Sequence, residues 1–562
     1  MSMKKTFIIL GIILLIAAGL RFYRLGDVPV SPDWDEVAIG YNAYSLLRTG
    51  QDEYGVRFPV SIRSFGDYKP PLYAYVSVLP VKLFGLTTWS VRLPSAVMGW
   101  LAVLGVFFLV REIQFFGIAV TGNQTKAKEH FLHGDTFPLL ATFLLAISPW
   151  HLQFSRIAFE SNLGVTINIW AFIWFFRGLT SKVYLLFSAA LFGLGLYAYH
   201  TERVFLPLML ILFMIIFRKT LFSRDRIAFL LISLAAGGLI VAPLVLSLTD
   251  KTALERLKGT STFSNQIQLL SRTSAKLEED RKSGDSIGTV LDNRRFVWMK
   301  TIASGYLSHF SIQWLFLNGD NPRHHAPSMG LLYFVELPFL VYGIVTILRK
   351  FTSAGKAVIF GWIALAPVAA SVTTGLPHAV RTLVFLPVFQ IIIAIGALAT
   401  MDAIWRKLRD RSIVLVWVSC IIVGISSLYN FGYYLNMYYV HQNPETSEDW
   451  QYGYKEVVEY TLANKNRYKK IVVSTKLDQP YIFFLFFTKY DPSLYLAGGG
   501  SGAIRPGGVR YAFDTYEFRE IDWEAESHDG SILYVGAPGE IPQNNATLFT
   551  YPNGKLSFVV AQ

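Results

Sequence analysis

Three carboxylates in four residues, Asp33, Asp35 and Glu36, follow the first apolar stretch of the chain in Ser31-Pro32-Asp33-Trp34-Asp35-Glu36. About thirty residues later comes a second polar segment, Phe65-Gly66-Asp67-Tyr68-Lys69-Pro70-Pro71-Leu72. Crowding and partial burial make a carboxylate a better proton acceptor, which suits a general base. Lys69 precedes two prolines that keep it on extended backbone, so its ammonium can be offered to a phosphate as a point charge. The two segments together have the groups needed to take a proton and hold a phosphate. Blander readings stand beside these. The acids can cap a helix that starts near Glu36 and runs through Tyr41 to Leu47, and Lys69 can be an interfacial lysine that snorkels.

These segments must be positioned by a membrane scaffold. The 562 residues are 52% hydrophobic and only 16% charged, and apolar runs of roughly 17–22 residues match the ~30 Å of a bilayer core. Spans are expected at 6–20, 93–110, 136–149, 162–178, 183–199, 203–217, 227–248, 329–348, 357–373, 382–400 and 412–432, about eleven helices in all. Lys4 and Lys5 precede the first, which reads as an uncleaved anchor despite the small residues Ala17-Ala18-Gly19. With those lysines inside, the basic short loops 111–128, 177–182, 218–226, 349–356 and 406–411 all fall inside too. Loop 21–92, the turns 148–161, 199–203 and 373–381, the long loop 249–328 and the tail from about 438 are then outside. The net charge of +12 is that of basic helix ends, and nucleic acid is not an expected partner. The single cysteine, Cys420, lies within a span and allows no intrachain disulfide.

From about residue 438 the composition becomes that of a soluble domain. Trp450–Ala463 has the spacing of an amphipathic helix, 470–474 and 532–536 read as buried strands, and Tyr481–Phe487 as a core helix or strand. The expected organisation is therefore a polytopic α-helical membrane domain, 1–437, and a small extracytoplasmic α/β domain, 438–562, whose role the sequence does not indicate.

Further ionisable residues sit in short outer turns. His200, Glu202 and Arg203 lie between two spans and are functional candidates on that ground. His378 and Arg381 immediately precede another span. Arg156 and Glu160, four apart, read as a helix-end ion pair. His324 and His325 are adjacent, so their side chains diverge on regular structure and make a poor metal site. No nucleotide-binding loop, zinc-ligand spacing or serine-nucleophile elbow is present.

With Asp35-Glu36 and Asp67-Tyr68-Lys69-Pro70-Pro71-Leu72 in place, the chain resembles the GT-C superfamily of membrane glycosyltransferases, in the branch of protein O-mannosyltransferases and lipid A aminoarabinose transferases. The likeness is strong over 1–210 and looser to about 400. It implies an inverting transfer of a sugar from a polyprenyl-phosphate donor to a hydroxyl of a lipid, glycan or protein acceptor at the outer face of the cell membrane. It implies Asp35 as the base, Glu36 and Asp67 as catalytic neighbours, and Lys69 at the donor phosphate; Tyr68, Asp33, His200, Glu202, Arg203, His378 and Arg381, placed in the outer loop and turns, are further substrate-binding candidates. The aminoarabinose enzymes carry an arginine shortly after their Asp-Glu, whereas this chain has Val37-Ala38-Ile39, so the resemblance does not specify that sugar. No cofactor is expected. A divalent metal is compatible with the chemistry, but no ligand spacing supports one. A lipid-linked glycan transporter or flippase, an oligosaccharyltransferase or glycan polymerase, and an assembly protein are the competing readings.

Overall fold

Helix length decides which apolar runs can cross a bilayer. In the computed structural model, described for all residues except 1, 118–131, 133, 248–266, 409–411 and 506–508, each of the eleven expected spans contains a helix. Among the described residues, six helices are long and apolar enough to cross a membrane. The number is seven if Thr136–Ile147 and Pro149–Ser155, bent by 59°, form one span. The chain is a multi-pass membrane protein. Others are shorter than expected: Tyr184–Gly195 has 12 residues and Leu337–Lys350 has 14, about 18 and 21 Å at 1.5 Å per residue. Pro338 stands in the first turn of the second of these, where proline belongs, so residues 329–336 of the expected span lie outside it. Parts of the basic loops at 111–128 and 406–411, and the first part of loop 249–328, lie outside the described residues.

The described chain divides into two compact units. The first comprises 1–17, 101–151 and 164–431 and is helical. Its helices Leu337–Lys350 and Val388–Leu408 approach closely because small residues meet there: a Cβ at Gly396 would overlap the Phe339 carbonyl oxygen, and one at Gly343 would overlap that of Ile392. The described part of loop 249–328 is largely helical, with Ile267–Ser283, Ser286–Leu291 and Arg294–Ser308. Asp285 and Asn293 cap the latter two by accepting backbone N–H groups.

The second unit comprises 18–100, 152–163 and 432–562, so the acidic loop packs with the C-terminal residues instead of forming part of one continuous 1–437 block. Its strands are β1 (Ile62–Ser64), β2 (Asp67–Lys69), β3 (Lys470–Ser474), β4 (Tyr511–Phe513), β5 (Tyr516–Arg519), β6 (Ile532–Gly536), β7 (Thr547–Thr550) and β8 (Leu556–Ala561). β1 and β2 form an antiparallel hairpin, and the rest a sheet of order β4-β5-β3-β6-β8-β7. The two strands expected from sequence, β3 and β6, run parallel side by side at its centre. Strands buried on both faces read as continuous apolar runs, which is why these two were visible. The expected helix at 450–463 begins only at Tyr454, after Gly453 at φ +107°. The run at 481–487 is the buried helix Pro480–Thr488, on which Tyr454 stacks against Phe483 with ring centroids 3.9 Å apart.

That buried helix seats the acidic segment. Helix α2 (Trp34–Thr49) lies against it at Gly40, where a Cβ would stand 2.6 Å from Phe486 Cε2 and 2.7 Å from Val91 Cγ2. Tyr41 Oη donates to the Tyr490 carbonyl at 3.2 Å, and the Trp34 amide to Gln451 Oε1 at 2.9 Å.

Candidate active site

The three acids of the opening segment have three different environments. Asp33 is the N-cap of α2: its carboxylate accepts the Glu36 amide at 2.9 Å, and the Glu36 side chain accepts the Asp33 amide in return. This capping box satisfies two helix-end donors reciprocally. The capping reading therefore describes Asp33, although the residue is buried and not solvated.

Glu36 is buried and fully engaged. Arg92 donates to it through Nε at 2.9 Å and Nη2 at 2.8 Å, and the Ala158 amide donates at 2.8 Å. Arg92, itself buried, also donates to the carbonyls of Leu25, Pro29 and Ser31. This ion pair locks the chain entering α2.

Asp35 is the acid left facing outward, its side chain one-third exposed at 33%, and it pairs with Lys69 Nζ. The hairpin brings the lysine there. β1 and β2 pair Ile62 with Lys69 and Ser64 with Asp67, leaving Phe65 and Gly66 as a two-residue loop with Phe65 at φ +57°. Burial works against the ammonium, but Asp35 and then Glu160 outweigh it and hold the Lys69 pKa above the ordinary lysine value. The Phe65 ring lies 5.5 Å from Nζ. Lys69 therefore remains a cation at every working pH.

The other candidates divide sharply. Asp67 is exposed and its carboxylate accepts the Tyr68 amide at 2.7 Å, a turn-closing role. Tyr68 stands opposite Arg63 in the hairpin. His200, Glu202, Arg203, His378 and Arg381 all belong to the first unit. Glu202 is buried and accepts Asn168 Nδ2 at 2.8 Å, and Arg203 Nε donates to the Leu196 carbonyl. Arg381 donates to Thr373 Oγ1 and the Thr374 carbonyl, both at 2.6 Å, and its own carbonyl accepts Thr201 Oγ1, tying turn 373–381 to turn 199–203.

Three residues had weaker signals in the sequence. Glu160 carries one of the charges acting on Lys69; its sequence signal is a carboxylate opening an apolar helix. Arg156 is not its ion-pair partner, because its guanidinium donates to Tyr438 Oη and to the carbonyls of Leu20, Arg21, Arg24 and Val28. Glu53, fully buried, accepts from Asn42 Nδ2 at 3.1 Å, Tyr481 Oη at 3.2 Å and Ser501 Oγ at 2.6 Å, fastening the end of α2 to the C-terminal residues. Burial pushes the Glu53 carboxyl up to about 7 despite those hydrogen bonds. A carboxyl raised in the folded state contributes stability that is complete below its ordinary pKa and lost as pH rises through about 7. Glu53→Gln should therefore flatten the fall in thermal stability between pH 5 and 8, a difference of about 3 kcal/mol, measured by unfolding scans in detergent. Equal pH slopes in both proteins would count against this.

The family model described as dolichyl-phosphate-mannose-protein mannosyltransferase matches residues 68–121, which begin within β2. By sequence, no curated protein matches the chain. Among solved structures, ArnT from Cupriavidus metallidurans bound to undecaprenyl phosphate superposes with a TM-score of 0.53 at 11% identity, over 98% of this chain and 97% of that one. Its apo form gives 0.52 over 100% and 98%.

The chain has the GT-C fold.

Oligosaccharyltransferase AglB from Archaeoglobus fulgidus, in complex with an inhibitory peptide and a dolichol-phosphate, aligns with a TM-score of 0.47 at 13% identity. That alignment covers 86% of this chain but 64% of AglB, so the chain spans under two-thirds of that protein's length. Within this fold Lys69, on the segment just ahead of α3 (Leu72–Phe84), meets Asp35 in the first turn of α2.

Proposed function

We propose that this protein is an inverting membrane glycosyltransferase, moving a sugar from a polyprenyl-phosphate donor to a hydroxyl of a lipid, glycan or protein acceptor at the outer face of the cell membrane. The observation that carries the proposal is the pair formed by Asp35, the outward-facing acid of its cluster, and the lysine delivered to it by a hairpin. The match of residues 68–121 to the mannosyltransferase model supports it, as does the likeness to ArnT, a protein seen with undecaprenyl phosphate. The asymmetry of basic short loops supports the orientation, with the amino terminus inside.

In this reaction Asp35 takes the proton of the acceptor hydroxyl while the hydroxyl oxygen bonds to the anomeric carbon. The bond from that carbon to the phosphate oxygen breaks, and the polyprenyl phosphate leaves with the electron pair. Lys69 stabilises the charge on that phosphate. Without donor, Lys69 neutralises Asp35. An arriving phosphate competes for the ammonium and frees the carboxylate to act as base, so donor binding arms the site.

The test is release of polyprenyl phosphate from a panel of polyprenyl-phosphate sugars by the full chain reconstituted in lipid nanodiscs, with mass spectrometry of the acceptors. Lys69→Ala should raise the KM for the donor about tenfold or more, the scale of a charge-assisted hydrogen bond. An unchanged KM would remove the phosphate role. Transbilayer movement of an intact donor, with no bond broken, would replace the transferase by a flippase.

A further inference from the structure

We propose that Asp320, His324 and His378 form a binding site for a divalent transition metal, zinc being the best fit. All three lie in the first unit. The second and third are 54 positions apart in sequence, so no spacing motif announces them. The histidine pair visible in the sequence, His324-His325, is not the site: His325 turns away, its Nδ1 on the Ala326 carbonyl at 2.8 Å.

Each side chain offers one ligand atom, and these atoms lie within 4.8 Å of one another. Asp320 Oδ1 is 3.2 Å from His324 Nδ1, while its Oδ2 accepts the Ala379 amide at 2.7 Å. One carboxylate therefore joins the 320–324 segment to the turn that carries His378. The His324 and His378 rings are 5.0 Å apart at 40°. His378 Nδ1 is buried and makes no hydrogen bond, a state that a metal ion or a ligand relieves. Tetrahedral zinc with bonds of about 2.0–2.2 Å holds its ligands roughly 3.3–3.5 Å apart, so the cluster closes onto an ion by a side-chain movement of about 1 Å.

The surroundings are those of a supported site. His309 accepts the His378 amide on Nε2 at 3.2 Å, and its Nδ1 lies 2.8 Å from the Gly305 carbonyl. That pairing defines its tautomer, with the proton on Nδ1, and fixes the backbone of His378. Thr382 donates to the His378 carbonyl through both its amide at 3.2 Å and its hydroxyl at 2.8 Å. Outer partners of this kind orient metal ligands. Two imidazoles and one carboxylate favour zinc or a neighbouring transition ion over magnesium and calcium, which prefer all-oxygen shells. A fourth position is left for water. The ion would clasp the loop ending near residue 325 to the turn at 378–381.

The test uses untagged full-length protein in detergent, stripped with chelator, reloaded with zinc or cobalt and desalted. One zinc per chain and a cobalt spectrum of tetrahedral intensity are expected. Asp320→Asn and His378→Ala should weaken retention at least about tenfold, while His325→Ala retains metal as the parent does. Absence of retained zinc in the parent overturns the proposal, as does equal retention in Asp320→Asn and His378→Ala, or equal loss in His325→Ala. Should His378→Ala not give monodisperse protein, the parent's cobalt spectrum decides: weak bands of octahedral type overturn the site.

Discussion

Asp35→Asn is expected to abolish transfer while leaving the protein folded. A positioned general base is worth roughly 10²–10⁴ in rate, and asparagine preserves the shape of the side chain while removing its basicity. The fold should survive the change because Asp35 carries neither the helix cap nor the Arg92 pair of its neighbours, and Glu160 still faces the Lys69 ammonium that Asp35 gives up. Asp33 caps α2 and Glu36 holds Arg92, so both remain when Asp35 is altered. Turnover in nanodiscs and the melting temperature in detergent should therefore separate, the first falling at least a hundredfold and the second by no more than a few degrees. Turnover within tenfold of the parent would remove Asp35 as the base and shift attention to Glu160, whose charge also acts on Lys69.

Arg92→Met is expected to do the reverse, destroying stability before chemistry can be judged. Its partner Glu36 would be left as a buried carboxylate, and breaking a buried ion pair from one side costs about 3–5 kcal/mol. Three carbonyls, of Leu25, Pro29 and Ser31, would lose their donor as well. The double variant Arg92→Met with Glu36→Leu should recover much of the loss, since removing both charges is far less costly than removing one. Thermal unfolding and monodispersity in detergent provide the measurement. If Glu36→Gln instead reduced turnover at full stability, Glu36 would be acting in the reaction and not as a brace.

How much of this was legible in the sequence depends on what each residue must do. The opening acids, Lys69 and the two central strands were legible because proximity in sequence or a continuous apolar run marks them. Sequence could not divide the labour among Asp33, Asp35 and Glu36 by spacing, because that division is set by partners far along the chain: the Arg92 guanidinium and the Ala158 amide. Arg92 itself looks like an ordinary cation at a span boundary, yet it is fully buried. Asp67 reads as a companion of Lys69, and alternation along β2 does put the two on one face, but Asp67 is exposed at the hairpin turn and its carboxylate accepts the adjacent Tyr68 amide. The Asp320, His324 and His378 cluster is assembled across two distant turns, which no local pattern records.

The hairpin that carries Lys69 also works as a counting device. Because side chains alternate from face to face along a strand, one residue added between Ser64 and Asp67 would shift the pairing of Ile62 with Lys69 and turn the ammonium away from Asp35, whereas two would return it. Relatives of this protein that keep the same chemistry are thus free to vary the letters of Phe65 and Gly66 within what a tight loop allows, but their hairpins should differ in length only by even steps.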